Sequence, residues 1–245
     1  MTRRQRVRSA LLFSAFLLFP IVQFYFSPYI IVDGAMEGIV AGSAIVFAVQ
    51  LLLAIFIGRA ICGWAMPCGG MQEMCFGAND RRVRGVFFDL IKWFLWVPWM
   101  ALVIYGFIHA GGIFGVEFLR KIDYGISISQ PVHYTIYYGV ILIFVVLSFA
   151  IGRRASCHYI CWMSPFMIIG RGFRNLLRLP ALQLKLTGTE CIECGLCTKV
   201  CPMSLDVQGM VLSKKMENYE CILCTSCIDA CRKKVIKLSF GKKYN

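Results

Sequence analysis

Cys191, Cys194, Cys197 and Cys201 form a C-x2-C-x2-C-x3-C run ahead of Pro202, and Cys221, Cys224, Cys227 and Cys231 repeat it. Three thiolates at this spacing can surround one iron–sulfur cube while the fourth reaches the neighbouring cube. The doubled run therefore predicts two [4Fe–4S] clusters. Cys191, Cys194, Cys197 and Cys231 would hold one, and Cys221, Cys224, Cys227 and Cys201 the other. Structural zinc would ask for paired C-x2-C arms, and a disulfide framework for an oxidising compartment. Electron transfer is the chemistry these eight residues fit.

Five further cysteines, Cys62, Cys68, Cys75, Cys157 and Cys161, lie outside those runs. Four of them fall in a repeat. One apolar stretch ends Ile57-Gly58-Arg59 and is followed by Cys62 and then, after Met66-Pro67, by Cys68; another ends Ile151-Gly152-Arg153 and is followed by Cys157 and Cys161. Two halves of one design can close a single site, and four thiolates in apolar surroundings suit a cube or a two-iron cluster. Cys75 is a fifth candidate, because Gly69-Gly70 could turn the chain back and let Cys75 replace Cys68 or serve a second centre. The plainer alternative is that these thiols pack as small hydrophobes, as Met66 and Met163 are expected to do.

These residues need a scaffold, and composition indicates its kind. Hydrophobic residues make up 58% of the chain and charged residues 16%, which excludes an ordinary soluble domain for most of the sequence before residue 180. Residues 11 to 32, 38 to 58 and 132 to 152 carry no charge, and each exceeds the roughly 20 residues that cross a hydrocarbon core. A further span is expected between Val86 and His109. Asp89 and Lys92 interrupt it near its start, three apart, where they can pair or snorkel to the interface. Such a pair is also a candidate for proton or quinone chemistry.

The cations alternate with this pattern. Arg3, Arg4, Arg6 and Arg8 precede the first span, Arg59, Arg81, Arg82 and Arg84 follow the second, and Arg153, Arg154, Arg171, Arg174 and Arg178 follow the last, while the opposite loops carry Arg120 and Lys121. The positive-inside rule places both termini in the cytoplasm. The net charge of +13 then reflects topology and anionic lipid, and no nucleic-acid motif competes for it. Thr2-Arg3-Arg4 does not read as an export signal, since the apolar stretch after it is too long and lacks a small-residue cleavage site before Asp33.

From Phe166 to Leu186, Arg171, Arg174 and Arg178 are spaced among Phe173, Leu176 and Leu177. The pattern predicts an amphipathic helix lying on the membrane and stopped by Pro180, with residues 181 to 189 as a linker. Met203 to Glu220 has room for a short helix. No C-x-x-C-H motif attaches haem, and the histidines are His109, His133 and His158. His109 and His133 fall near the outer face, where they can ligate a b-type haem, bond a quinone carbonyl or sit hydrated.

Two hairpins, two interfacial cysteine motifs and a C-terminal pair of cysteine runs resemble the four-helix membrane ferredoxins of the NapH type. Those are quinol-dehydrogenase-like proteins associated with periplasmic nitrate reductase, related to the membrane parts of NosR-like proteins. The C-terminal part is similar to bacterial two-cluster ferredoxins, with Arg232 where a proline usually closes the second run. The family pattern is C-x3-C-P in each half. Cys157 and Cys161 keep that spacing with the proline displaced to Pro165, whereas Met66 takes the second cysteine position of the first half and Cys68 follows Pro67. The resemblance implies quinol as a partner.

The expected fold is an all-α four-helix transmembrane domain of two repeated hairpins over residues 1–165, an interfacial helix and linker over 166–189, and a C-terminal α+β two-cluster [4Fe–4S] ferredoxin domain over 190–245. The expected protein sits in the inner (cytoplasmic) membrane among its lipids, as a subunit of a larger redox complex. It passes electrons between the ferredoxin clusters and a membrane donor or acceptor through an interfacial iron–sulfur centre held by Cys62, Cys68, Cys75, Cys157 or Cys161. Quinol or a soluble ferredoxin would be its exchange partner. No acid/base pair, nucleophile or phosphate loop is evident, so any oxidoreductase activity is the redox step itself. The alternatives are a redox or metal maturation factor for a partner enzyme, and the redox module of an ion pump that uses Asp89 and Lys92.

Overall fold

The computed structural model describes residues 2–83 and 88–242. Arg84, the expected span start at Val86 and residues 243–245 of the expected ferredoxin domain lie outside the described residues.

Proline placement decides how the first apolar stretch folds. Helix α1 (Arg3–Leu17) is capped by Thr2, whose hydroxyl accepts from the Gln5 amide. It stops short of Pro20, which has no amide to donate to a continuing helix. The chain then bends by 58° into α2 (Phe19–Val22) and a 3-10 turn over Gln23–Phe26. Pro28 opens a separate helix, α3 (Pro28–Met36). Residues 11 to 32, expected as one span, are therefore a bent pair followed by the start of another helix.

Strand β1 (Ile39–Ala41) leads into α4 (Gly42–Ile57), followed by the short helices α5 (Ala60–Trp64) and α6 (Pro67–Met74). Helix α7 (Ile91–His109) and strand β2 (Gly115–Glu117), which pairs in parallel with β1, precede α8 (Pro131–Ala150). Helix α8 runs into α9 (Ala155–Tyr159) and α10 (Met163–Leu177). The repeat read from the sequence is present in the backbone. Each long helix ends one or two residues before a glycine of positive φ, Gly58 at 56° and Gly152 at 129°. A short helix bearing a cysteine, Cys62 or Cys157, follows each glycine.

At about 1.5 Å per residue, the 19 residues of α7 and the 20 of α8 match a hydrocarbon core about 30 Å thick. Both are long and apolar enough to cross a membrane, and the bent α1–α2 pair makes a third candidate, whereas α4 has 16 residues and is shorter. The described structure thus holds two or three such spans in place of the four expected. Helix α8 fully buries only Ser148 and exposes Leu142, Ile143, Val146 and Phe149. An apolar face of that extent calls for an apolar surrounding.

Helix α10 inverts the expected arrangement. Arg171 and Arg174 point inward and are buried, while Phe173, Leu176 and Leu177 are exposed. Arg171 pairs with Glu217 at 2.6 Å, and Arg174 donates to the carbonyl oxygens of Leu179 and Gly241 and to Gln183. The polar stripe is a contact with the rest of the chain, not with lipid headgroups. Residues 181 to 186 are likewise not linker. They form β3 (Ala181–Leu186), antiparallel to β4 (Ile236–Gly241), with Leu184 opposite Leu238.

Three short helices, α11 (Leu196–Lys199), α12 (Val207–Leu212) and α13 (Ser226–Ala230), complete the C-terminal part. Its apolar interior is continuous with that of the helical part. One core joins Phe47, Trp99 and Met167 to Cys62, Ile222 and Val235.

Close packing of α10 on α4 depends on Gly170, where an added Cβ would stand 2.5 Å from the Leu51 carbonyl oxygen. Gly172, two residues on, faces open space. Gly170→Ala is expected to destabilise the detergent-solubilised protein by about 1–3 kcal/mol, while Gly172→Ala leaves the melting temperature unchanged or raises it; thermal unfolding of the two variants checks this.

Candidate metal centres

The two cysteine runs are one backbone motif used twice. Glu193 and Leu223, two residues after the first cysteine of each run, adopt positive φ of 52° and 49°. Gly195 and Thr225 follow at 69° and 64°, and Ser204 and Lys234, three residues past each last cysteine, at 54° and 52°. Non-glycine residues occupy this region at a cost, and alternation with right-handed residues turns successive amides inward to form an anion-binding concavity. The Glu193 amide donates to Cys191 Sγ and the Val235 amide to Cys231 Sγ, both at 3.4 Å.

Folding exchanges the fourth cysteines. One cavity is lined by Cys191, Cys194, Cys197 and Cys231, and a second by Cys201, Cys221, Cys224 and Cys227. These are the two sets that the spacing predicts. Burial, with Cys224 adding to it, pushes the Cys201 thiol up to about 11; burial, with Cys224 and Cys201 adding to it, pushes Cys221 up to about 12. Four thiols crowded into a dry cavity cannot all ionise unless a cationic centre displaces their protons. Among the described residues, no three cysteine sulfurs lie within 4.8 Å of one another. A single tetrahedral zinc, with Zn–S bonds of about 2.3 Å, would draw them to roughly 3.8 Å. The donors fit a polynuclear iron–sulfur body better than one ion.

Four of the five remaining cysteines also converge. Cys62 and Cys157 are buried, on α5 and α9, while Cys68 begins α6 and Cys161 follows α9. Burial followed by Cys157 and Cys62 pushes the Cys161 thiol up to about 12, and burial followed by Cys161 and Cys157 raises Cys68. Cys75, at the end of α6, is raised by burial alone. It stands apart because Gly69-Gly70 is not a turn. Both glycines are helical and buried, Gly69 against Arg154 and Gly70 where a Cβ would meet the Leu12 carbonyl oxygen at 2.3 Å.

Sequence reading missed several neighbours of this group. Met167 Sδ lies 3.3 Å from Cys62 Sγ. Gln72 donates to Cys157 Sγ at 3.5 Å and to the Cys68 carbonyl oxygen at 3.0 Å, and accepts from the Ser156 amide. Met66 and Met163 are buried in the core, as expected. Arg154, wholly buried, donates to the Cys62 carbonyl oxygen at 2.8 Å and pairs with Glu73, which also binds Arg8. Burial opposes the Glu73 charge, yet Arg154 and Arg8 outweigh it and hold the carboxyl below its usual range. The doubled arginine at 153–154 was the visible signal; its carboxylate partner was not.

The helical part meets the C-terminal part at the second cavity. Gly63, next to Cys62, lies so close to the Cys221–Cys224 loop that a Cβ would stand 2.3 Å from the Ile222 carbonyl oxygen. Trp64 Nε1 donates to the Leu223 carbonyl oxygen at 3.1 Å, Gln5 to that of Cys224 at 3.0 Å, and Arg153 to that of Lys199 at 2.5 Å. Among the described residues, the cysteines of the first cavity receive no hydrogen bond from the helical part.

Asp89 and Lys92 belong to this junction. Lys92 stands 4.0 Å from Asp89, and its closer partner is Glu220 at 2.5 Å, which also pairs with Arg59. Burial would raise the Glu220 carboxyl, but Arg59 and Lys92 hold it down at about 2. His158 Nδ1 lies 2.6 Å from Asp89 Oδ1. His109 is exposed beside Tyr105, and His133 packs edge-on against Phe24.

Residues 174–244 match a family described as a 4Fe-4S dicluster domain. An uncharacterised protein of Methanocaldococcus jannaschii is 26% identical over 86% of this chain and 78% of its own length. The putative electron transport protein YccM of Escherichia coli is 22% identical over 83% of this chain and 57% of its own length. The nitrogen fixation protein FixG of Rhizobium meliloti is 40% identical over a shorter segment, 17% of this chain and 7% of that protein. No solved structure matches. The C-terminal part is an iron–sulfur domain of the 4Fe–4S type, joined to a largely apolar helical part.

Glu217 ties the iron–sulfur domain to α10. Burial opposes its charge, but the Arg171 hydrogen bond and charge prevail and lower its carboxyl from the ordinary 4.5. A carboxyl depressed by folding contributes stability that is present above its ordinary value and is lost as pH falls through the folded value. The gap in melting temperature between wild type and Glu217→Gln should therefore be constant near neutrality and narrow below about pH 4.5.

Proposed function

We propose that this chain is an integral-membrane electron-transfer protein, with two [4Fe–4S] clusters in the C-terminal cavities and an iron–sulfur centre held by Cys62, Cys68, Cys157 and Cys161. The observation that carries this reading is the direct backbone approach of Gly63 to Ile222. It joins the peptide that bears Cys62 to the loop that bears Cys221 and Cys224. Iron–sulfur clusters, when bound, supply one-electron chemistry over a wide range of potentials.

The chain's own residues set the conditions for that chemistry. Cys62, Cys157 and Met167 keep the interfacial site dry, since each is buried. Arg154 is a fixed positive charge bonded to the Cys62 carbonyl oxygen, and its influence reaches Cys157 and Cys224. Its charge offsets that of nearby thiolates, and Glu73 keeps it in place. Glu220, clamped by Lys92 and Arg59, fixes the backbone immediately before Cys221. Electrons would pass between the membrane-facing site, the second cavity and the first cavity, along a path held by hydrogen bonds to peptide carbonyls.

In this reading both termini and the iron–sulfur domain are cytoplasmic, and the apolar faces of α7 and α8 contact lipid. The chain acts as a subunit of a larger redox complex. The resemblance noted for the sequence is what supports quinol as the membrane partner.

Anaerobic iron and acid-labile sulfide per chain, with EPR during a redox titration, tests the proposal. More than the eight irons of two cubes, with one signal lost in Cys157→Ser and none lost in Cys75→Ser, is the expected result. Eight irons, unchanged by Cys157→Ser, would remove the interfacial centre and leave a membrane-tethered ferredoxin.

A further inference from the structure

We propose that the rim of the first cavity is a docking surface for an acidic, soluble one-electron carrier protein, which exchanges electrons through the exposed Cys194. This deepens the electron-transfer reading and rests on it. The geometry of attachment supplies the first argument. Hydrogen bonds from the helical part run to the carbonyl oxygens of Cys224, Leu223 and Cys201, which line the second cavity, so that cavity is the one turned toward the interfacial site. The first cavity holds the one exposed cysteine of the eight, Cys194. Beside it Ile192 leaves half its surface open, at 53%. An exposed ligand next to an apolar side chain is what a carrier needs to bring its own redox group close while excluding water.

Charge supplies the second argument. Arg232 and Lys233 line the first cavity, and Lys234 follows them; all three are exposed. Among the described residues none of the three forms an ion pair, whereas Arg8, Arg59, Arg153, Arg154 and Arg171 are each paired with a carboxylate inside the fold. The paired cations hold the protein together. Arg232, Lys233 and Lys234 are instead consecutive and exposed at the edge of the cavity. Lys214 and Lys215, also exposed, follow α12, whose Val211 lines the cavity, while Glu190, Glu193 and Asp206 are exposed carboxylates of the same domain. The balance favours an anionic partner, which complementary charge would orient and whose encounter it would accelerate. Arg232 stands immediately after the ligand Cys231, so the cationic patch begins at the centre itself.

The step is a single electron transfer. The reduced carrier would lose one electron and be oxidised, and the cluster that Cys191, Cys194, Cys197 and Cys231 would hold would gain it, with no bond formed or broken. The reverse exchange uses the same surface.

The test uses the full-length, cluster-loaded protein in nanodiscs of neutral phosphatidylcholine, with a reduced acidic [2Fe–2S] ferredoxin as probe and anaerobic stopped-flow bleaching as the readout. Expected is a rate that falls about tenfold or more as salt rises from low to about 0.5 M. Lys234→Glu should lower the low-salt rate by about tenfold, and Lys234→Arg should retain it. Reduced methyl viologen, which needs no docking surface, should bleach wild type and both variants at equal rates. A carrier rate indifferent to salt and to Lys234→Glu would overturn the proposal. So would a variant that no longer binds phosphatidylserine vesicles yet keeps its carrier rate, since the patch would then be a lipid contact. A wild type that viologen fails to bleach would instead overturn the electron-transfer reading itself.

Discussion

The structure turns on burying arginine without leaving it unpaired. Arg59, Arg154 and Arg174 are among the most deeply buried side chains of the chain, in an interior where an isolated guanidinium would cost many kcal/mol. Each meets at least one group that is distant in sequence, and among the described residues Nε and Nη2 of Arg59 are left without a hydrogen-bond partner. Arg59 finds Glu220, Arg154 finds Glu73 and the Cys62 carbonyl oxygen, and Arg174 finds Gln183 and Gly241. Removing one partner from such a pair leaves a buried charge uncompensated, typically at about 3–5 kcal/mol. The helical part and the iron–sulfur domain are thus complementary halves of one electrostatic structure. Two of these charges, Arg59 and Arg154, also act on the Cys62 thiol, favouring its anionic form against the cost of burial.

Much of the iron–sulfur domain was legible because its information is local. The positions of eight cysteines fix which thiols can meet, and the repeated positive-φ residues reproduce that spacing in the backbone. The repeat of the helical part was equally visible, in Gly58 and Gly152 and the cysteines that follow them. Legibility failed where one residue type serves two physical purposes. Arg171 and Arg174, spaced among leucines and a phenylalanine, describe an amphipathic helix from sequence alone; nothing in that pattern says whether the charged stripe faces water or the protein. Here the protein offers Glu217 and the strand carbonyls, and the helix turns the other way.

The first span and the linker failed for different reasons. Residues 11 to 32 are apolar throughout, so hydropathy sees one segment, whereas Pro20 and Pro28 interrupt the amides a continuous helix needs. Residues 181 to 186 look like linker because the sheet they belong to is completed by residues 236 to 241. No window short enough to read as local pattern contains both strands. Gly69-Gly70 is a related case. A glycine pair suggests flexibility, but these two are small because Arg154 and the backbone of α1 leave no room for a Cβ.

The pairing of β3 with β4 also bears on how the protein is made. β3 emerges before the first cysteine run and β4 after the second, so the sheet that closes the iron–sulfur domain forms only once both runs have been made. Arg59, Arg171 and Arg174 are likewise made well before the Glu220, Glu217 and Gly241 they meet. The helical part must therefore wait with its cations in contact with water or lipid headgroups. β4 then acts as the latch that seats the iron–sulfur domain on helices already made.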